Sequence, residues 1–194
     1  MPRYYIIYKP FQVLSQFSAS EGKRTLKDFF AVPSDVYPVG RLDYDSEGLL
    51  LLTNDTNLNY RLLHPQFRHE REYWVQVDGN IDTAALDRLK AGVDITVDGK
   101  SFHTAPCRAG IFEKAPHLPE RNPPIRYRKN IPSPWIWITL TEGKNRQVRK
   151  MTAAAGFPTL RLVRYRIARI TLDTMQPGEQ RELTREEVYN WVFG

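Results

Sequence analysis

Three carboxylates fall within five residues of the stretch Gly40-Arg41-Leu42-Asp43-Tyr44-Asp45-Ser46-Glu47-Gly48. Asp43, Asp45 and Glu47 share one side if the chain is extended there, because side chains alternate along a strand. Crowded like charges raise the pKa of one member, which acid catalysis uses, so a glycosidase-type carboxylate pair is one chemistry the cluster supports. The same spacing suits a plain polar turn, with Asp and Ser bonding local backbone groups. Spacing alone leaves both readings open.

A second stretch, residues 139–151, reads as a strand running into a helix. Arg146, Arg149 and Lys150 stand at i, i+3 and i+4, on one helical face. Alone, such a run fits a solvated basic helix. Beside an acid supplied from elsewhere in the chain, one guanidinium would hold that acid ionised. Other chemistries lack their residues. His64, His69, His103 and His117 have no zinc-ligand spacing, and Cys107 is the single cysteine, which excludes an intramolecular disulfide and a Cys-cluster metal site. Gly-x-Gly-x-x-Gly, Walker A and Gly-x-Ser-x-Gly motifs are absent.

The elements that must position these residues are legible from periodicity. Aromatic and β-branched residues 4–8, stopped by Lys9-Pro10, predict a strand, and Thr25 caps a short helix to residue 30. Residues 36–43 and 48–53 predict two strands joined by the acidic turn, and Leu49 to Leu52 without alternation implies burial on both faces. Asp55 or Thr56 caps a helix reaching about His64, before Pro65. A strand is expected at 73–77, an Asp-capped helix at 82–91 closed by Gly92, and a hairpin turning at Asp98-Gly99. A strand at 135–140 precedes a helix at 145–155, a β-rich run covers 159–172, and Thr184 with Glu187 forms the capping box of a last helix. Residues 114–134 hold six of the fourteen prolines and little periodicity, a long loop suited to a functional or lid segment. Strands with helices inserted, without strict βαβ alternation, argue for an α+β fold.

The 194 residues carry a net +6, but residues 121–170 alone hold twelve Lys or Arg and one acid, Glu142. That block is +11 and the remainder −5. Trp135, Trp137, Tyr127 and Tyr165 lie within it, and aromatics among arginines suit RNA bases. A solvated basic face is the plainer alternative. No apolar run approaches the ~18 residues of a membrane span. The stretch 4–8 is too short for a secretory h-region, so a soluble cytoplasmic protein is expected.

Taken together, the two stretches and their neighbours resemble a known family. Gly40-Arg41-Leu42-Asp43 followed by Ser46-Glu47-Gly48-Leu49-Leu50 is similar to the catalytic motif of the ribosomal RNA pseudouridine synthases of the RsuA-like family. Tyr8-Lys9-Pro10 resembles their Lys-Pro motif. Glu72-Tyr73-Trp74-Val75-Gln76-Val77 resembles their tyrosine-bearing strand, with Glu72 where Lys is commoner. Glu142-Gly143 through Gln147-Val148-Arg149 and Leu162-x-Arg164-x-x-Ile167 match the later motifs, in order, from about residue 4 to 183. The segments 121–126 and 156–161 resemble the large-subunit, E-type branch.

The resemblance implies the pseudouridine synthase fold, a mixed, mainly antiparallel central sheet with flanking helices and a catalytic cleft. It implies one catalytic domain over 1–194, in two closely joined lobes and without the N-terminal S4 domain of many relatives. It implies isomerisation of a 23S rRNA uridine by a monomer, with neither cofactor nor metal. Asp43 would be the catalytic carboxylate, Arg149 its guanidinium partner, and Tyr73 the ring stacked on uracil. Leu162 would supply an apolar wall and Arg41 contact the space vacated by the flipped base. Lys144, Arg146, Lys150 and Arg164 would hold RNA phosphates. The alternative is a non-catalytic rRNA-binding or assembly protein on the same scaffold.

Overall fold

The structure, a computed structural model, describes residues 1–126 and 130–194. Tyr127, Arg128 and Lys129 of the basic block lie outside the described residues. In chain order the first elements are β1 (Tyr4–Lys9), β2 (Val13–Leu14), β3 (Arg24–Thr25), β4 (Tyr37–Pro38), β5 (Glu47–Thr53) and α1 (Thr56–Leu63). Then follow β6 (Arg71–Val77), α2 (Thr83–Ala91), β7 (Asp94–Val97), β8 (Lys100–His103), β9 (Arg108–Ile111) and β10 (Trp135–Leu140). The last are α3 (Gln147–Ala154), β11 (Thr159–Ile167), β12 (Ile170–Thr171), β13 (Gln180–Leu183) and α4 (Arg185–Phe193). The fold is α+β with mainly antiparallel strands. Among the described residues, no helix is long and apolar enough to cross a membrane.

The chain forms two compact units, Met1–Arg71 with Val163–Gly194, and Glu72–Leu162. In the first, the strands lie in the order β13, β1, β5, β11. β1 runs antiparallel to both β13 and β5, with Tyr5 opposite Leu52 and Ile7 opposite Leu50. These four side chains share one face, where they pack with Val13, Leu26, Phe30 and Val36. The opposite face, with Tyr4, Ile6, Tyr8, Leu49 and Leu51, is buried as well, as the unbroken leucine run implies. Each such leucine contributes about 1.5–3 kcal/mol on burial. Asp55 caps α1 by accepting from the Leu58 N–H at 3.0 Å, and its other oxygen accepts from the hydroxyls of Tyr4 and Tyr189. One carboxylate thereby ties β1, α1 and α4.

The second unit packs α2 and α3 on β6, β9 and β10 around Val75, Leu86, Leu89, Ile136, Ile138, Val148 and Met151. Asp82 caps α2, and Asp98 and Gly99, both at positive φ, turn the β7–β8 hairpin as the sequence predicts. The capping box of α4 is present, and residues 114–126 and 130–134 form neither helix nor strand.

Three elements differ from expectation. The helix at 25–30 is a single 3-10 turn, Leu26–Asp28, opened by a capping box between Thr25 and Asp28. The strand expected at 36–43 is shorter: Tyr37 and Pro38 (β4) pair with β5, Val39 adds an N–H bond to the Leu51 carbonyl, and Leu42 is bonded to a side chain instead. α3 begins at Gln147 rather than 145, for reasons that bear on the site.

Candidate active site

In the first unit the acidic stretch is a turn. The Asp43 carbonyl accepts from the Ser46 N–H at 3.0 Å, so the three carboxylates do not lie along one face of an extended strand. Asp43 and Asp45 are half-buried in the loop, whereas Glu47 opens β5 and is buried. The residue before Asp43 is clamped on both backbone groups: Ser15 Oγ donates to the Leu42 carbonyl at 2.7 Å and accepts from its N–H at 3.0 Å. The residue after it is held by the Gln12 N–H, which donates to the Tyr44 carbonyl at 2.9 Å. The segment following β1 therefore grips the Asp43 backbone from either side.

Lys9, the last residue of β1, is a positive charge of this region and is 0 % exposed. Its Nζ donates to the carbonyls of Pro10 at 2.9 Å and Val13 at 2.8 Å, securing the gripping segment. Burial pushes its ammonium down from the ordinary 10.5 to about 7, and Arg164 adds to that. Glu47, Asp43 and Asp45 pull the other way. Gly48 follows the carboxylates at φ +114, where β5 meets the parallel β11 with Gly48 opposite Arg164. A Cβ at Gly48 would lie 2.4 Å from the Arg164 carbonyl oxygen, so only glycine permits this approach.

In the second unit, Tyr73 of β6 is half-buried against a core cluster that includes Leu162. Glu72, where the family resemblance expects Lys, accepts from the Trp74 indole N–H at 2.9 Å. The segment between β10 and α3 folds around Gln147, whose amide donates to Glu142 at 2.6 Å and accepts from the Lys144 N–H at 2.9 Å. Glu142 also accepts from the Ala105 N–H. This knot leaves Arg146 at φ 55, outside the helix, so it does not share a helical face with Arg149 and Lys150. Arg149 and Lys150 are half-buried in the first turns of α3. Lys144 is exposed, its ammonium 4.8 Å over the Phe102 ring.

Of the expected RNA-holding cations, Lys144 and Arg146 are exposed, as is Arg41 beside the acidic turn. Arg164 is not: it is 4 % exposed and its Nε donates to the Leu49 carbonyl at 2.8 Å, a bond that secures β11 to β5. Arg161 is buried likewise, donating to Pro119, and Arg166 bonds Glu70 at 3.1 Å. The +11 block is therefore partly internal wiring, a distinction that net charge conceals. Leu162 is 5 % exposed, the place of a core leucine. Lys9, Ser15 and Gln12 were absent from the expected site residues. A lysine ending an aromatic strand signals Lys9; no sequence signal marks the other two, whose partners are backbone atoms 27 and 32 residues away.

Known proteins resemble this chain over most of its length. A family model described as RNA pseudouridylate synthase matches residues 3–154. The chain is 49 % identical over 178 residues to a ribosomal large subunit pseudouridine synthase E of Vibrio parahaemolyticus, covering 92 % of this chain and 72 % of that one. The namesake of Xanthomonas campestris is also 49 % identical, over 91 % and 92 % of the two chains. A ribosomal large subunit pseudouridine synthase B of Bacillus subtilis is 36 % identical over 96 % and 70 %. Among solved structures, a crystal structure of a pseudouridylate synthase superposes with TM-score 0.79 at 26 % identity, covering 99 % of this chain and 74 % of that one.

Proposed function

Because the chain belongs to the RNA pseudouridylate synthase family, we propose that it isomerises one uridine of 23S ribosomal RNA to pseudouridine, with Asp43 as the catalytic carboxylate. Residues 1–194 then act as its catalytic domain, in a cytoplasmic monomer. The observation that carries the reading is the clamp on Leu42 and Tyr44, which holds the Asp43 backbone on a rigid support while its side chain stays half-open. Preorganised placement of this kind is what a carboxylate needs to meet a reacting atom.

The target nucleotide must leave its stack, at a cost of a few kcal/mol. Asp43 then attacks C6 of the uracil or C1′ of the ribose, or assists departure of uracil to leave a glycal. The N1–C1′ bond breaks, the base turns and C5 bonds to C1′; the bond from Asp43 to C6 or C1′ is released, or in the glycal route the C2′ proton is returned, and the C5 proton leaves as N1 takes up a proton. Atoms balance without an added reactant. Lys9 secures the segment that grips the Asp43 backbone through its bonds to Pro10 and Val13, and Arg149 is the guanidinium partner that the motif resemblance implies for Asp43. Tyr73 stacks on the uracil and assists C5 proton removal, with Leu162 as apolar support and Arg41 filling the vacated stack. Lys144, Arg146 and Lys150 hold phosphates. These roles rest on the motif resemblance.

Tritium release from rRNA labelled at uracil C5 tests the proposal. Wild-type release that vanishes in Asp43→Asn, with RNA binding kept, is expected. Equal release from both proteins would remove Asp43 from the chemistry, and no release from either on authentic 23S rRNA would overturn the reading. Arg149→Ala is expected to lower kcat far more than affinity; a loss confined to salt-sensitive binding would make it a phosphate ligand instead.

A further inference from the structure

We infer that the end of α1 and the turn after it form a second RNA-contacting surface, which stacks an unpaired nucleotide flanking the target uridine. The inference rests on the RNA-modifying reading above and adds a place where substrate RNA is held. α1 buries Leu58 and Leu62 but leaves Tyr60 52 % and Leu63 42 % exposed. The Tyr60 ring is braced from behind, 5.0 Å from His64 and 6.0 Å edge-on from Phe67. A ring held in this way loses little rotamer freedom when a base stacks on it.

Charge selects the occupant. Residues 56–69 contain Arg61, His64, Arg68 and His69 and no acidic side chain. Arg61 lies 3.5 Å over the Phe193 ring and stiffens the cluster from within, while Arg68, at φ 48 after the 3-10 turn Pro65–Phe67, is exposed. An exposed aromatic ring with the exposed Arg68 on the turn that follows it complements a single-stranded polyanion, which offers a base to stack and a phosphate to pair. Position selects the site. Gly40 is at φ +72, and a Cβ there would lie 3.1 Å from Leu63 Cδ2, so the α1 end rests against the backbone three residues ahead of Asp43. RNA that presents a uridine to Asp43 passes this surface.

The test uses the full chain and a 23S rRNA transcript, with filter binding for Kd and tritium release for KM and kcat. Tyr60→Ala is expected to raise Kd and KM by about tenfold at near-unchanged kcat, the scale of one lost base stack, while Tyr60→Phe stays within about twofold. Arg68→Gln, an exposed change independent of the ring, is expected to lower the slope of log Kd against log salt by about 0.7. Unchanged Kd in Tyr60→Ala together with an unchanged salt slope in Arg68→Gln overturns the surface, leaving the patch to a protein partner. Absence of tritium release from wild type refutes the catalytic reading instead, and the Kd comparison still decides the surface.

Discussion

The loop around Asp43 and the segment around Lys144 and Arg146 are both polar, yet they are built in opposite ways. Around Asp43, backbone groups are taken by Ser15, Gln12 and Ser46, and a lysine with no exposed surface secures the gripping segment. Around Lys144, one internal knot centred on Gln147 sets the chain path, and the cations project into solvent. On the function proposed above, the contrast corresponds to two physical tasks. Attack on a base or sugar carbon needs a reacting group held in place in a site that limits water, so stability is spent on fixing it. Holding phosphates needs only positive charge at reach, which long exposed side chains supply without order.

Substitutions that break the first region are expected to cost most. Gly48→Ala would drive a Cβ into the Arg164 backbone at a positive φ, where no side-chain shift relieves the overlap. We expect destabilisation by more than about 4 kcal/mol, read as a collapsed urea midpoint or loss of soluble protein. A midpoint near wild type would show that β5 and β11 can separate cheaply. Ser15→Ala removes both bonds to Leu42 and leaves its buried backbone unsatisfied, about 1–3 kcal/mol by urea unfolding. If the clamp positions Asp43, kcat falls about tenfold as well, since small misplacements in a site are costly. A stability loss with kcat unchanged would make the clamp purely structural.

Asp55→Asn sharpens the comparison with a polar knot of the same unit that takes no part in the chemistry. Burial raises the Asp55 pKa, but bonds from the Leu58 N–H and the Tyr4 and Tyr189 hydroxyls outweigh it and leave it lowered. Its stabilising share is therefore present above about pH 3.8 and fades as the medium is acidified through the lower folded value. Asp55→Asn should cost about 1 kcal/mol at pH 7 and flatten the acid limb of a melting-temperature profile, with kcat kept. Lys9 titrates in the other direction. Its folded value is depressed from 10.5 to about 7, so the unfolded chain holds the extra proton between them and stability rises with pH there. Urea midpoints at pH 7 and 8.5 should show that rise in wild type and lose it in Lys9→Met; a parallel rise in both would assign it to another group. Smallest in stability is the double change Lys144→Ala and Arg146→Ala, within about 0.5 kcal/mol of wild type. Its effect belongs to the salt dependence of RNA binding, a slope lower by about 1.4–1.8.

The turn that carries Asp43 stands out in the sequence because the surrounding motifs occur in order, whereas the spacing of its carboxylates leaves its chemistry open. Tyr73 and Leu162 were legible as residues, and the structure adds that they share one core cluster. Arg146 was misread as helical because an i, i+3, i+4 count ignores the side chain of Gln147, which captures Glu142 and the Lys144 N–H and delays the helix. Arg164 was misread as surface because alternation along β11 does not reveal that Val163 and Arg164 pair with Glu47 and Gly48. The strand that begins at Tyr37 ends early because Ser15 takes both backbone groups of Leu42, which no local pattern announces.

From the amino-acid order alone come the element types, the caps at Asp55, Asp82 and Thr184, the doubly buried leucine run and the identity of the acidic turn. All of these depend on neighbours within a few residues, where periodicity and backbone bonding act. Tertiary structure decided which charges are buried struts and which reach solvent. That sorting depends on burial and on partners remote in sequence: Lys9 loses its water, Arg164 meets Leu49 across 115 residues, and Leu42 finds its clamp 27 residues away. Charge is written in the sequence, but the dielectric around it is created only when the chain packs.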